Sequence, residues 1–351
     1  MPNRAGVLHF EDARPPLPQP RTPMIVVTGG AGFIGSNLVA SLEEAGTGPI
    51  SVVDELGRDD KWKNLRRREL DELVPPEDVF EMLERRQDDV DYVVHMGAVS
   101  STTETDADLI AQTNYRLPQT LWEWCAHHEV PFLYASSAAT YGDGSAGFDD
   151  DGSLEALARL VPMNAYGWSK HAFDRWVARQ VAEGCAAPPQ WVGLKFFNVY
   201  GPNEYHKGGM MSGVTRAYPA AARGEPVTLF RSHHPDYPDG GQKRDFVYVK
   251  DCVDVMMWLM DSPEVSGLFN LGTGRAQTWL EFMGALYAAV GKPMEVTWKD
   301  TPEEIRDRYQ YFTQAEMGRL RAAGYDRPFR PVEEGVADYV AEHLATDDPY
   351  R

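Results

Sequence analysis

Cysteine is scarce in this chain of 351 residues: it has three, Cys125, Cys185 and Cys252. Their odd number, wide spacing and lack of a CxxC pair exclude a disulfide framework and a thiolate zinc site, and imply a reducing compartment, the cytoplasm. Long apolar runs are missing too. Val255 to Met260 falls far short of the roughly 20 residues that cross a bilayer, so no membrane span is expected. Positive charge is the third shortage: 34 Lys and Arg face 53 Asp and Glu, a formal charge of −19. Such a field repels nucleic acid and anionic lipid surfaces, while leaving open a local basic pocket for one small anion. No repeat or low-complexity tract occurs. Residues 1–23 carry Arg4, Glu11, Asp12, Arg14 and a run of prolines where a secretory signal would be apolar, and read as a flexible extension.

What is present is an apolar content of 43%, enough for a sizeable core in one enlarged domain or a large domain plus a small one. Met24 to Val27 is a short apolar run of the buried parallel-strand kind, followed at once by glycines. Phe33 to Glu44 carries Phe33, Ile34, Leu38 and Leu42 at helical spacing, and Ile50 to Asp54 reads as the next strand. Further strands are expected at Asp91–His95, Pro131–Ala135, Trp191–Phe197, Phe246–Val249 and Leu268–Leu271. Helices are expected at Pro76–Arg86, Asp106–His127 and Ala165–Ala182. Alternation of this kind predicts an α/β fold, a Rossmann-type doubly wound parallel sheet. Residues 24–197 with 246–275 form the expected sheet domain, and 198–245 with 276–351 a smaller, discontinuous α/β domain. Arg231 to Gln242, rich in Gly, Pro and His, reads as an exposed loop.

The turn Thr28 to Gly35 fits GxGxxG through Gly30, Gly32 and Gly35, and GxxGxxG through Gly29, Gly32 and Gly35. Either spacing lets backbone approach a pyrophosphate at the N-terminus of the following helix, and Asp54 ends the next strand about 20 residues on, as a dinucleotide site requires. Tyr166 and Lys170 lie four apart, on one helix face. A lysine ammonium there is expected to lower the phenol pKa and make Tyr166 an acid or base. Ser136 and Ser137 follow an apolar run, where the carboxyl end of a strand meets the ligand in open α/β sheets.

A glycine-rich turn, Ser137 and the Tyr166/Lys170 pair, in this order, resemble the extended short-chain dehydrogenase/reductase family from Met24 to about Val340. More narrowly, Ser100–Glu104, Phe132–Gly142, Phe197–Pro202, His206–Gly208, Lys243–Val249, Phe269–Arg275, Tyr309–Gln310, Phe312–Gln314 and Leu320–Asp326 resemble the branch that epimerises C6 of an ADP-linked heptose by transient oxidation. The resemblance implies Tyr166 and Lys207 as the two acid/base groups, Ser137 on the reacting oxygen and Lys170 on the nicotinamide ribose. It implies an NADP site, with NAD the alternative, at Gly29, Gly32, Phe33, Ile34, Gly35, Asp54, Glu55, Lys61, Met96, Gly97, Ala98, Ser100, Asn114 and Val199, together with Tyr166, Lys170 and Lys207. The nucleotide sugar would meet Ser137, Asn198, His206, Gly209, Arg216, Phe230, Arg244 and Tyr309, with Arg244 as a pyrophosphate clamp and Phe230 on the adenine. It further implies a homo-oligomer, a homopentamer, and a role in supplying lipopolysaccharide core heptose.

Departures from the pattern are Gly209 in place of a serine, Arg216 in place of a histidine, and the longer loop 231–242. Met96 stands in place of a glutamate and Pro76 in place of a lysine. Asp54 favours a free ribose hydroxyl, whereas Arg58 and Lys61 could neutralise a 2′-phosphate. Ala138 and Ala139 stand where a dehydratase needs an Asp-Glu pair. A UDP-hexose 4-epimerase and a non-catalytic nucleotide-binding scaffold stay open as alternatives. The pairs His127–His128 and His233–His234 have no acid or cysteine cluster at ligand spacing, and no metal is expected.

Overall fold

The computed structural model describes residues 23–306 and 309–351, so the extension expected over 1–23 lies, apart from Pro23, outside the described residues. In chain order the strands are β1 (Met24–Thr28), β2 (Ile50–Val53), β3 (Glu72–Val74), β4 (Val90–His95), β5 (Phe132–Ser137), β6 (Trp191–Phe196), β7 (Asn198–Tyr200), β8 (Val227–Phe230), β9 (Lys243–Tyr248), β10 (Gly267–Leu271), β11 (Ala276–Thr278) and β12 (Val296–Lys299). Seven of them form one sheet in the order β10-β6-β5-β4-β1-β2-β3, every neighbour parallel. This is the doubly wound α/β sheet expected. The chain runs outward from β1 to β3 and then crosses back to β4, so the crevice lies beyond the carboxyl ends of β1 and β4.

Both faces of the sheet are covered, which is why its central strands read as unbroken apolar runs. Along β1 the side chains alternate: Ile25 and Val27 join Leu38, Val39 and Leu42 of the helix Phe33–Glu44 and Cys252 and Met256 of the helix Val249–Met260. Met24 and Val26 face the other way, toward Met82, Leu83, Leu121, Trp122, Phe173 and Val177. A third core lies beside the sheet, where helices Gly213–Arg223, Trp279–Ala289 and Val332–Tyr339 pack on β8 and β9, with the rings of Phe246 and Phe282 stacked 3.8 Å apart. Phe33, the first residue of its helix, also belongs to this core. Two small sheets complete it, β11-β9-β7 and β12-β8.

The helix expected over Asp106–His127 is broken in its middle by a π turn at Gln112–Arg116. The extra residue turns Asn114 inward, where it bonds the Val99 N–H and carbonyl, both at 2.9 Å, and Ser169 at 3.1 Å. Pro76–Arg86 begins as a single 3₁₀ turn, Pro76–Asp78, and becomes α-helical only at Val79. The strand expected over Trp191–Phe197 ends at Phe196, because Asn198 joins a different sheet through β7. Phe246–Val249 is the end of the longer strand β9, and Val249 already starts a helix. Among the described residues no helix is long and apolar enough to cross a membrane.

Candidate active site

A cleft of about 620 Å³ opens at the carboxyl ends of the central strands. Its floor is the glycine turn. Gly29 has φ +67°, and a Cβ there would sit 2.5 Å from the Gly97 nitrogen; a Cβ on Gly35 would sit 2.2 Å from the Gly29 oxygen. These two glycines therefore close the turn, whereas Gly32 has only the Gly29 oxygen within reach, at 3.0 Å, and faces the cleft. Gly30 packs on Val52 instead, so GxxGxxG is the register that lines the site. Gly32 N-caps the helix Phe33–Glu44 without any side-chain cap and without an acid in the first turn. The free amides and positive end of the helix dipole thus face the cleft unneutralised, and the residues fit the pyrophosphate of a nicotinamide dinucleotide. Asp54 accepts the Ala31 N–H at 2.9 Å and the Lys61 ammonium at 2.6 Å.

The Tyr166/Lys170 pair comes from the helix Ala165–Ala182, whose first turn is capped by Asn164 through the Gly167 N–H. Tyr166 is hydrogen-bonded with Ser137 at the end of β5, and burial raises the phenol above its ordinary pKa. The lowering expected from Lys170 does not emerge: desolvation penalises the phenolate more than the Ser137 hydrogen bond favours it, and the Asp174 carboxylate adds to the rise. Lys170 is buried as well; desolvation lowers its pKa to about 8, against the opposing pull of Asp174.

Across the cleft, the 3₁₀ turn Tyr205–Met210 presents Lys207, its ammonium 5.0 Å above the Phe33 ring. Burial lowers its pKa, and the neighbouring Glu204 carboxylate opposes that shift. Glu204 is fully buried and accepts the Ser212 N–H and Oγ, each at 2.6 Å, and the Thr215 hydroxyl. It therefore fixes both the turn that carries Lys207 and the start of the helix that carries Arg216. His206 lies beside Asn64, 3.3 Å away, its pKa lowered by burial. The lining holds Lys61, Lys170, Lys207 and Arg216 against one carboxylate, Asp54, which Lys61 already neutralises. An acidic protein thus has a cationic cleft, suited to phosphorylated ligands.

Nineteen of the expected site residues come together here: Gly29, Gly32, Phe33, Ile34, Gly35, Asp54, Lys61, Met96, Gly97, Ala98, Ser100, Ser137, Tyr166, Lys170, Asn198, Val199, His206, Lys207 and Arg216. Arg216 also lines a second cavity of about 590 Å³, which shares Gly213 and Trp279 with the first and holds Phe230 and Tyr309. Four expectations fall outside both linings. Glu55 is exposed and contributes only its carbonyl, to Lys61; Gly209 is exposed; Asn114 lies beneath the wall, holding Val99. Arg244 is buried and donates to the carbonyls of Lys243 and Gln310, with its guanidinium 5.3 Å from the Tyr309 ring. It is not paired with Asp245, which instead accepts the N–H groups of Thr273, Gly274 and Ala315.

Sequence reading missed Gln242, Trp279 and Lys299 in the second cavity, and Met210, Met211 and Phe246 in the first. Phe246 lies within the string Lys243–Val249; the other segments are brought to the cleft by topology alone, with no local motif to mark them. Among the described residues no cluster of three His, Cys, Asp or Glu could hold a metal ion.

A glycine-turn dinucleotide site joined to a Ser, Tyr and Lys set on a doubly wound sheet defines a nicotinamide-dependent enzyme class, and the chain belongs to the NAD dependent epimerase/dehydratase family, whose model matches residues 25–272. It is 49% identical over 330 residues to the ADP-L-glycero-D-manno-heptose-6-epimerase of Nitratidesulfovibrio vulgaris, covering 93% of this chain and 100% of that one. It is 45% identical to the Fusobacterium nucleatum protein of the same name, with the same coverage. The solved Helicobacter pylori ADP-L-glycero-D-manno-heptose-6-epimerase superposes with a TM-score of 0.76 at 28% identity, over 92% of this chain and 96% of that one. UDP-glucose 4-epimerase from Thermus thermophilus, solved with NAD, gives 0.69 at 27% identity over 90% and 97%.

Proposed function

We propose that this protein epimerises C6 of ADP-D-glycero-D-manno-heptose to the L-glycero form. The observation that carries the reading is the presence of two proton-handling side chains in one cleft on separate elements, Tyr166 on a helix and Lys207 on a 3₁₀ turn facing it. A carbinol proton is too weakly acidic for a side chain to remove. The nicotinamide cofactor, when bound, supplies reversible hydride exchange at C6, so that the sugar passes through a 6-ketone. The residues handle the rest.

Ser137 holds the reacting oxygen, and one of the pair Tyr166 and Lys207 takes the hydroxyl proton as the ketone forms. After the sugar side chain turns, the other delivers a proton to the oxygen as the opposite face is reduced. Burial raises the phenol pKa and lowers the ammonium pKa, so Tyr166 keeps its proton as a donor while Lys207 gives up its own more readily to act as an acceptor, one of each in a single site. Lys170 orients the ribose. Lys61, set against Asp54, supports NADP over NAD. Arg216, between the two cavities, faces the diphosphate, and Phe230 and Tyr309 lie on the nucleotide side. Arg244 serves this side by holding Tyr309 rather than as a direct clamp.

Dehydration is disfavoured because Ala138 and Ala139 offer no acid or base, and 4-epimerisation gives Lys207 no task. The same reading carries the division into a cofactor unit (24–197, 246–275) and a sugar unit (198–245, 276–351), a cytoplasmic homopentamer, and supply of lipopolysaccharide core heptose. The test is a substrate panel without added cofactor, followed by proton NMR. Conversion of the ADP-heptose at C6, with UDP-glucose and UDP-galactose untouched, supports the reading; turnover of the UDP-hexoses instead would overturn it.

A further inference from the structure

Directly beneath Tyr166 and Lys170 lies a buried polar network that no motif pointed to. Asp174, one helical turn after Lys170, has a side-chain exposure of 0%, and Lys195 of β6 one of 1%. The Asp174 Oδ2 accepts the Lys195 ammonium at 2.9 Å and the Ser136 hydroxyl at 2.7 Å, while Oδ1 accepts the Tyr134 hydroxyl at 3.3 Å. Lys195 also donates to Thr140 Oγ1 at 2.6 Å, and Thr140 in turn donates to the Ser137 carbonyl at 2.8 Å. Ser136 and Lys195 are register partners on adjacent strands. One carboxylate therefore ties the helix that bears Tyr166 and Lys170 to the strand and turn that fix Ser137.

A buried ion pair is a poor stabiliser compared with apolar side chains of the same volume, so its presence at this depth calls for another account. The surroundings supply it. Asp174 is faced by Tyr166, Lys170 and His171 from its own helix, by Tyr134 and Ser136 from β5, by Tyr141 from the turn after it and by Lys195 from β6, and His95 of β4 faces Lys170. Burial holds His95 neutral, with a pKa lowered to about 3, and keeps the Tyr134 phenol protonated. Asp174 is then the one buried anion in this set, and two lysines compete for it.

We infer that Asp174 is a positioning residue of this active site: bonded to Lys195 and Ser136 and set one helical turn from Lys170, it supplies the negative charge that both lysines face and locks Ser137 against Tyr166. The roles of Ser137, Tyr166 and Lys170 rest on the proposed function; the electrostatic coupling does not.

The experiment compares Asp174→Asn, Lys195→Met and the double variant, as purified with bound cofactor, by lysine ¹³Cε NMR titration and by the pH dependence of kcat. The Lys170 signal is assigned by its loss in Lys170→Met. Removing the anion should lower the Lys170 pKa by about one unit or more, removing the competing cation should raise it, and the double variant should return close to the parent. The alkaline limb of kcat should move in the same directions. Single variants that shift Lys170 the same way, or leave it unmoved, would overturn the proposal. Should Asp174→Asn not fold, Lys195→Met and the charge-balanced double variant still decide the sign. Because the titration needs no sugar, opposite shifts in a protein that ignores ADP-heptose would sink the substrate reading and uphold the coupling.

Discussion

Replacing Lys207 by methionine removes the ammonium while keeping most of the aliphatic stem that passes the Phe33 ring. Burial lowers the pKa of this lysine, so its charge is not a source of stability, and the variant should melt within about 0.5 kcal/mol of the parent. Glu204 loses a cationic neighbour but keeps its bonds to Ser212 and Thr215, so the turn should hold. Catalysis is a different matter. A positioned acid or base contributes about 10²–10⁴-fold, and epimerisation should fall by that factor while cofactor affinity stays within about twofold. The two-base account makes a sharper claim. One C6 epimer is oxidised through Tyr166 and the other through Lys207, so in single turnover the variant should still reduce the bound nicotinamide from one epimer and not from the other. Nicotinamide absorbance after mixing with each pure epimer reads this directly. Epimerisation above about a tenth of the parent rate, or equal loss of both half-reactions, would refute the argument.

Three further outcomes follow from the geometry. Gly32→Ala should fold normally yet bind cofactor at least about tenfold more weakly, since its methyl faces the phosphate cradle; Gly35→Ala, with its Cβ 2.2 Å from the Gly29 oxygen, should lose about 1–3 kcal/mol by denaturant titration as well. Lys61→Ala frees the Asp54 carboxylate and should shift the ratio of NADP to NAD affinity toward NAD, as measured by calorimetry; an unchanged ratio would deny Lys61 that role. The pKa values of His95, His171 and His343 are lowered by burial to about 3, 4 and 4, so below the ordinary imidazole value the unfolded chain binds protons that the fold refuses. Each of these histidines costs up to about 1.4 kcal/mol per pH unit as pH falls from roughly 6.5 to 4, and Asp150, raised to about 6, offsets one of them. Glu204, Asp245 and Asp251 are raised by burial too and oppose the loss, so the histidine share is read by difference: the urea midpoint of His343→Gln should fall less than the parent's across that window, and an identical fall would deny the histidine that role.

The sheet was legible because strands buried on both faces leave unbroken apolar runs, as at Met24–Thr28, and because the glycine turn and the Tyr166/Lys170 spacing are local. The short strands β3, β7, β8, β11 and β12 left no such trace, being three or four residues long with partners far along the chain. Lys207 stood out only through family likeness, since neither its neighbours nor its spacing mark a solvated-looking lysine as half-buried. The contacts of Arg244 were equally hidden: its guanidinium turns onto the Lys243 and Gln310 carbonyls and Tyr309, which the string Lys243–Val249 does not encode. Asp174 and Lys195 were invisible for a similar reason, because their pairing depends on strand register and not on any motif.

The most direct measurement uses ADP-D-glycero-D-manno-heptose carrying deuterium at C6, incubated with the purified protein in ordinary water and followed by NMR. If the site works by hydride removal and return at C6, the L-glycero product keeps its deuterium in full. Epimerisation with deuterium lost to solvent would contradict transient oxidation, and a substrate recovered unchanged with cofactor supplied would contradict the assignment itself.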